Sequence, residues 1–266
     1  MKLKRRIALH GEWMDELDER IVVSSIEPGD GKETISATET AAGFGQRITR
    51  KTRSTVDVVV KFRIFEHGKS VAGMQERSEL LEKVIAWAAP GGVLLLNYRP
   101  NRRLNVVLAQ APGEGSLWDY TREFQLTFRA YTIPYWEDRE ANKETFGGSD
   151  AQKAKNVNLE GSAKTQFHVY LKNTSGQKIN NVSMLKIGDN TMSFTQLGLM
   201  GNETLVVDHS NGLVRIRIQD TGGNYRSAMK YRTGANDFTA EPGTVYCGYK
   251  AERACEMTVT WRARYL

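Results

Sequence analysis

The chain has 266 residues, 40% of them hydrophobic and 26% charged, with a formal net charge of +6. That composition supports one large or two ordinary domains with real cores and excludes a disordered chain. Apolar runs such as Val93-Leu94-Leu95-Leu96 fall far short of the roughly 18 residues a membrane span requires.

The N-terminal stretch MKLKRRIALHGEWMDELDE is basic, but it lacks the apolar region and small-residue cleavage site of a signal peptide. It predicts synthesis and use without the secretory route. The carboxylates Asp15, Glu16, Asp18 and Glu19 do not follow calcium-loop spacing and read as a solvated acidic turn. Residues from about 28 to 54, polar and rich in Gly, Thr and Ala, are too long for a turn and predict an extended arm or lid. Its basic group Arg47, Arg50, Lys51 and Arg53 has no interleaved aromatic to stack a base, so a protein contact or solvated loop fits better than a nucleic-acid groove.

STVDVVVKFRIF then alternates strictly, with Val56, Val58, Val60, Phe62 and Ile64 on one face of a strand. Gly68-Lys69-Ser70 stands between this strand and a helix, where a phosphate loop would stand. The glycine that motif needs five residues earlier is replaced by Arg63, so these residues read as a turn with Ser70 as N-cap. The helix spans about 70–88, with Val71, Met74, Leu81, Val84 and Trp87/Ala88 at helical spacing, and Pro90-Gly91-Gly92 ends it. VLLLNY resumes as a strand. LWDYTREFQLTFRAY alternates again, with Trp118, Tyr120, Phe124, Leu126, Phe128 and Ala130 facing one way and Arg122 interrupting the row. Period-two patterns of this length predict a mainly antiparallel sheet with one buried face.

The strand stops at Tyr131-Thr-Ile-Pro134-Tyr135-Trp136-Glu137-Asp138. The next segment, ANKETFGGSDAQKAKNVNLEGSAKT, is small and polar and reads as linker plus the first edge of a new unit. Two domains are expected, 1–140 and 141–266. The second shows only short strand patterns, with Asn211-Gly212 as its strongest hairpin signal, and predicts an all-β sandwich. Cys247 and Cys255 predict two thiols facing each other across a hairpin, since no histidine lies near enough for a zinc site.

No catalytic motif is present: HExxH and GxSxG are absent, and the chain has four histidines. No catalytic residue, metal ligand or cofactor site is expected, and the chain is not expected to be an enzyme. His209-Ser-Asn211-Gly-Leu-Val-Arg215 is loosely like the polar set that galectins use on sugars, without the aromatic element that accompanies it.

The order and spacing of these elements, through the closing phrase NDFTAEPGTVYCGYKAERACEMTVTWRARYL, resemble the distal tail protein family of non-contractile bacteriophages and prophages over essentially the whole chain. That resemblance implies a structural virion protein without cofactors. Residues 1–140 would form a hexameric ring at the tail tip, and a galectin-like β-sandwich, 141–266, would project outward. Implied partners are further copies of the chain, the tail tube protein, the tail-associated tip protein and receptor-binding proteins. DNA would pass through the channel without sequence-specific recognition. The implied location is the virion tail tip, assembled in the bacterial host cytoplasm. Within this frame the arm carrying Arg47, Arg50, Lys51 and Arg53 would meet a neighbouring subunit, and Pro134, Tyr135 and Trp136 would pin the exit from the first domain. The rival reading is a carbohydrate-binding adhesin that uses Tyr225, Tyr231 or Tyr249 of the second domain. A β-scaffold hydrolase has no supporting motif.

Overall fold

A computed structural model describes residues 5–29, 31, 33–39, 46–65, 71–112, 123–210 and 213–266. The chain is mainly β, 58% strand, with one α-helix among the described residues. It divides into two compact units, one ending at Trp136 and one spanning Glu137–Tyr265.

The first unit contains β1 (Ile7–Leu9), β2 (Glu12–Trp13), β3 (Ile21–Pro28), β4 (Glu33–Glu39), β5 (Gln46–Arg53), β6 (Val56–Ile64), α1 (Val71–Ala88), β7 (Gly92–Leu96), β8 (Arg99–Gln110) and β9 (Phe124–Ala130). Its main sheet runs β2-β1-β7-β8-β9-β6-β3 with antiparallel neighbours throughout. The alternating residues of β6 are at most 3% exposed and pair across to β9, Val58 with Phe128 and Val60 with Leu126. Phe62 stacks on Phe124 at 5.5 Å, and Trp87 of α1 meets Phe128 edge-on at 6.2 Å. Each such buried side chain contributes about 1.5–3 kcal/mol of apolar transfer energy. The opposite face is wet and charge-matched: Arg63 with Glu123 at 3.3 Å, Lys61 with Glu27 at 3.0 Å and Arg129 with Asp57 at 2.6 Å.

Helix α1 buries Leu80, Leu81, Val84, Trp87 and Ala88. It also buries Arg77, which the apolar spacing does not anticipate, while Met74 stays half-buried. The chain leaves the helix through Gly91 and Gly92, both at positive φ, where a side chain on Gly92 would run into the His10 ring. The Gly68-Lys69-Ser70 turn with its N-cap, and the strand residues Trp118, Tyr120 and Arg122, lie outside the described residues. Strands β4 and β5 form a two-stranded antiparallel sheet of their own.

β10 (Trp136–Asp138) crosses the junction between the units. The second unit continues with β11 (Asn142–Gly147), β12 (Gln152–Leu159), β13 (Thr165–Asn173), β14 (Val182–Ile187), β15 (Asn190–Phe194), β16 (Thr204–Ser210), β17 (Leu213–Gln219), β18 (Tyr225–Ser227), β19 (Arg232–Gly234), β20 (Thr239–Ala240), β21 (Gly243–Ala251), β22 (Cys255–Trp261) and β23 (Arg264–Tyr265). One sheet runs β11-β22-β13-β16-β17-β18, with β20 beside β13, and the other runs β12-β21-β14-β15-β19. Between them lies one core. Val169, Leu171, Leu205, Val207 and Val259 come from the first sheet; Leu185, Ile187, Phe194, Val245 and Tyr249 come from the second. Phe167 stacks on Trp261 at 5.3 Å across β13 and β22.

Two expectations are corrected here. The polar stretch after Glu140 is not a linker: β11 pairs with β22 over six positions and β12 with β21 over eight. Both are outer strands of their sheets, and partners supply the pairing that their own sequence does not advertise. The two cysteines do not face each other across a hairpin, because β21 and β22 belong to different sheets. Cys247 stands opposite Lys155 and Ile187, and Cys255 stands opposite Asn173. Residues 211–212 are outside the described residues; the strands flanking them pair antiparallel from Ser210–Leu213 onward.

Candidate functional site

The segment that leaves the first unit is held by arginines from three strands. Arg129, at the end of β9, forms a two-pronged pair with Asp57 of β6 at 2.6 and 2.7 Å, and its guanidinium lies 5.7 Å from the Tyr131 ring. The ion pair and its hydrogen bonds hold the Asp57 carboxyl below its ordinary range and push Arg129 up. Arg53, the last residue of β5, donates from Nε to the Pro134 carbonyl at 2.8 Å and sits 5.0 Å from the Tyr135 ring centre. Arg99, the first residue of β8, covers Trp136 at 5.0 Å, and Trp136 is 4% exposed. Pro134 fits there because it offers only an acceptor, which Arg53 takes.

The continuation is held just as firmly by the second unit. Glu137 is buried and pairs with Arg264 at 3.4 Å, while Arg264 also donates to Gln166 Oε1 at 2.8 Å. The Asp138 amide donates to the Ala263 carbonyl at 3.0 Å, and the Ala263 amide donates to Asp138 Oδ2 at 3.2 Å. Arg262 donates to the Asp138 carbonyl at 3.0 Å and to the Arg139 carbonyl. The closing Arg262-Ala-Arg264-Tyr265 phrase therefore anchors the first residues of its own unit.

Of the basic group in the arm, Arg53 is engaged at the strap rather than displayed. The side chains of Arg47, Arg50 and Lys51 lie outside the described residues. The partner strand β4 is exposed from Thr34 to Thr38, with Ile35 at 53%. A two-stranded ribbon has marginal stability by itself.

Among the described residues no group of three or more His, Cys, Asp or Glu side chains is placed to hold a metal ion. Cys247 and Cys255 are free and buried, and burial pushes both thiols up to about 12. Of the tyrosines considered for sugar contact, Tyr249 is fully buried, its hydroxyl donating to the Asp150 carbonyl at 3.0 Å; Tyr231 is half-buried, and Tyr225 is 50% exposed. His168 and His209 meet edge to face at 5.7 Å, and the His209 amide donates to His168 Nδ1 at 3.3 Å. Burial lowers both histidines below the ordinary range. Sequence spacing could not show this contact, nor the Arg53–Tyr135 stack, since each joins residues dozens of positions apart.

No family model matches the chain, and no curated protein does. Among solved structures, the SPP1 Dit (gp 19.1) protein, titled a paradigm of the hub adsorption apparatus in phages infecting Gram-positive hosts, overlays with a TM-score of 0.65 at 13% identity. The overlay covers 98% of this chain and 99% of that one, so the two share a fold from end to end. Chains from the phage P2 baseplate in its activated conformation, with Ca and with Sr, overlay at TM-scores of 0.47 and 0.43, each at 8% identity. They cover 97% of this chain in both cases, and 98% and 97% of the baseplate chains.

Proposed function

We propose that this chain is a structural protein of a non-contractile phage tail, a distal hub joining the tail tube to the tip and to receptor-binding proteins. The observation that carries the reading is the end-to-end overlay with the SPP1 Dit protein, which spans both units rather than one common domain. In this reading the first unit closes a ring of six copies around a DNA channel, and the second, galectin-like unit projects outward. The protein is assembled in the host cytoplasm, resides at the virion tail tip and carries no catalytic activity. The β4–β5 ribbon supports the ring, because a separate two-stranded sheet whose β4 is exposed from Thr34 to Thr38 gains stability by packing on a neighbour.

The test is the solution mass of the purified protein by light scattering, followed by negative-stain imaging. Closed rings of six with an open channel are expected, either alone or after addition of the tail tube protein. A strict monomer in both conditions would refute the ring.

A further inference from the structure

We propose that the β4–β5 ribbon of one copy docks on the outward face of α1 in a second copy of this chain. This docking rests on the ring reading above and names the surface that receives the ribbon. The ribbon continues the edge hairpin β3–β6 without a slip in register. Pairing runs from Ser25 with Lys61 to Pro28 with Val58 and resumes from Glu33 with Arg53 to Ser36 with Arg50, with residues 29–32 and 54–57 between. The interruption is tightly built. The Gly29 amide donates to the Asp57 carbonyl at 2.6 Å, and a Cβ on Gly29 would lie 2.8 Å from that same oxygen. The hairpin thus runs on past its sheet, and β4 is exposed from Thr34 to Thr38, with Ile35 at 53%. It is also basic: Arg47, Arg50 and Lys51 belong to β5, while Thr34 to Thr38 opposite carry no charge.

The outward face of α1 has the opposite sign. Glu76, Glu79 and Glu82 recur there at three-residue spacing, all exposed. Arg20 ties this stripe to the preceding turn, pairing with Asp18 at 2.9 Å and with Glu76 at 3.4 Å, and Glu19 beside it is exposed. Five carboxylates thus share the surface with two cations, Arg20 and Lys83, and Lys83 donates to the Leu17 carbonyl. Most other carboxylates of the first unit are matched singly: Asp15 by Arg6, Glu27 by Lys61, Asp57 by Arg129 and Glu123 by Arg63. Half-buried Met74 and Ile85 border the stripe and offer Ile35 an apolar seat. A basic ribbon and an acidic helix attract each other, whereas ribbon repels ribbon and helix repels helix. Contact between copies is therefore head to tail, the kind of interface that closes rings.

Charge exchange in the full-length protein tests this, with assembly read by light scattering and fold by circular dichroism. Glu79→Lys with Glu82→Lys should lower the ring fraction about tenfold, and so should Arg50→Glu with Lys51→Glu. All four changes together should restore about half of the wild-type assembly, since the attraction is reversed rather than lost. A second measurement does not depend on the charges. Glu79→Cys and Lys51→Cys protomers, mixed and treated with a short bismaleimide, should give a covalent dimer that neither variant gives alone. The native Cys247 and Cys255 are buried and stay silent in this reaction. Wild-type rings that neither reversal weakens overturn the docking and leave the ring standing. So does a folded fourfold variant that fails to assemble, or a mixture that gives no cross-linked dimer. A wild-type chain that never assembles, alone or with the tail tube protein, overturns the docking and the ring together.

Discussion

Replacing Arg53 with alanine removes two interactions at once, the Nε–carbonyl bond to Pro134 and the cover over Tyr135. A hydrogen bond from a charged donor contributes about 1.5–3 kcal/mol. A partly exposed cation–π contact adds about 0.5–1 kcal/mol. The Arg53 side chain is only half-buried, so solvent screening trims the sum, and a loss of about 2 kcal/mol is expected for the first unit. Urea unfolding followed through tryptophan fluorescence reads this directly, with Trp136 in the same segment as a local reporter. Arg53→Lys should recover less than half of the loss, because a lysine keeps the charge but lacks the planar face. A double-mutant cycle with Tyr135→Leu should show a coupling of about 0.5–1 kcal/mol. Trypsin should also cut after Lys51 faster in Arg53→Ala, since the base of the ribbon is freed. A loss below about 0.5 kcal/mol, the range of an ordinary surface substitution, would refute the clamp.

Glu137→Gln removes the carboxylate that pairs with the half-buried Arg264 while leaving its bond to Gln166, and a loss of about 3 kcal/mol is expected in the unfolding transition of the second unit. Phe167→Ala removes a fully buried ring stacked on Trp261 and should cost about 3–5 kcal/mol by the same measurement. His168 and His209 have folded pKa values held below the unfolded one by burial, so their contribution is complete above about pH 6.5 and is lost as pH falls below it. The thermal midpoint of the second unit should therefore drop between pH 7 and pH 5, and less steeply in His209→Gln. With both thiols buried and raised to about 12, a thiolate-specific reagent should label neither cysteine in native protein and both in urea, as absorbance titration would show.

Where a strand owes its shape to burial, its residues declare it. Val56 to Ile64 alternate because one face meets Phe124, Leu126 and Phe128, and that alternation is visible in the letters. Lys153, Lys155, Asn156 and Asn158 of β12 show no such pattern, since most of that strand is exposed and only Val157 and Leu159 reach the core. β8 is similar at its start, where the polar Arg99 and Arg103 pair with Leu96 and Leu95 of β7 across a register shift. Arg77 sits where the helix pattern calls for an apolar residue. The cysteine placement was misjudged because adjacent strands in sequence need not share a sheet. Pro134, Tyr135 and Trp136 stand out in the letters as the end of a strand pattern, but the arginines beside them come from positions 53 and 99, beyond the reach of any local pattern.

β12 ends its sheet, with eight residues paired on one side to β21. An open edge of that length is a template for any extended chain, and the hazard grows when many copies are held close together. Lys153 pairs with Asp150 at 3.2 Å and Lys155 with Glu144 at 2.6 Å, so charged side chains crowd this strand. An incoming strand would have to displace those contacts and bring its own side chains up against two ammonium groups. An assembly of fixed copy number depends on such refusals, because an edge that welcomed strands would divert subunits into open-ended fibres. The polar letters that hide β12 from a reader of the sequence also keep other strands from pairing with it.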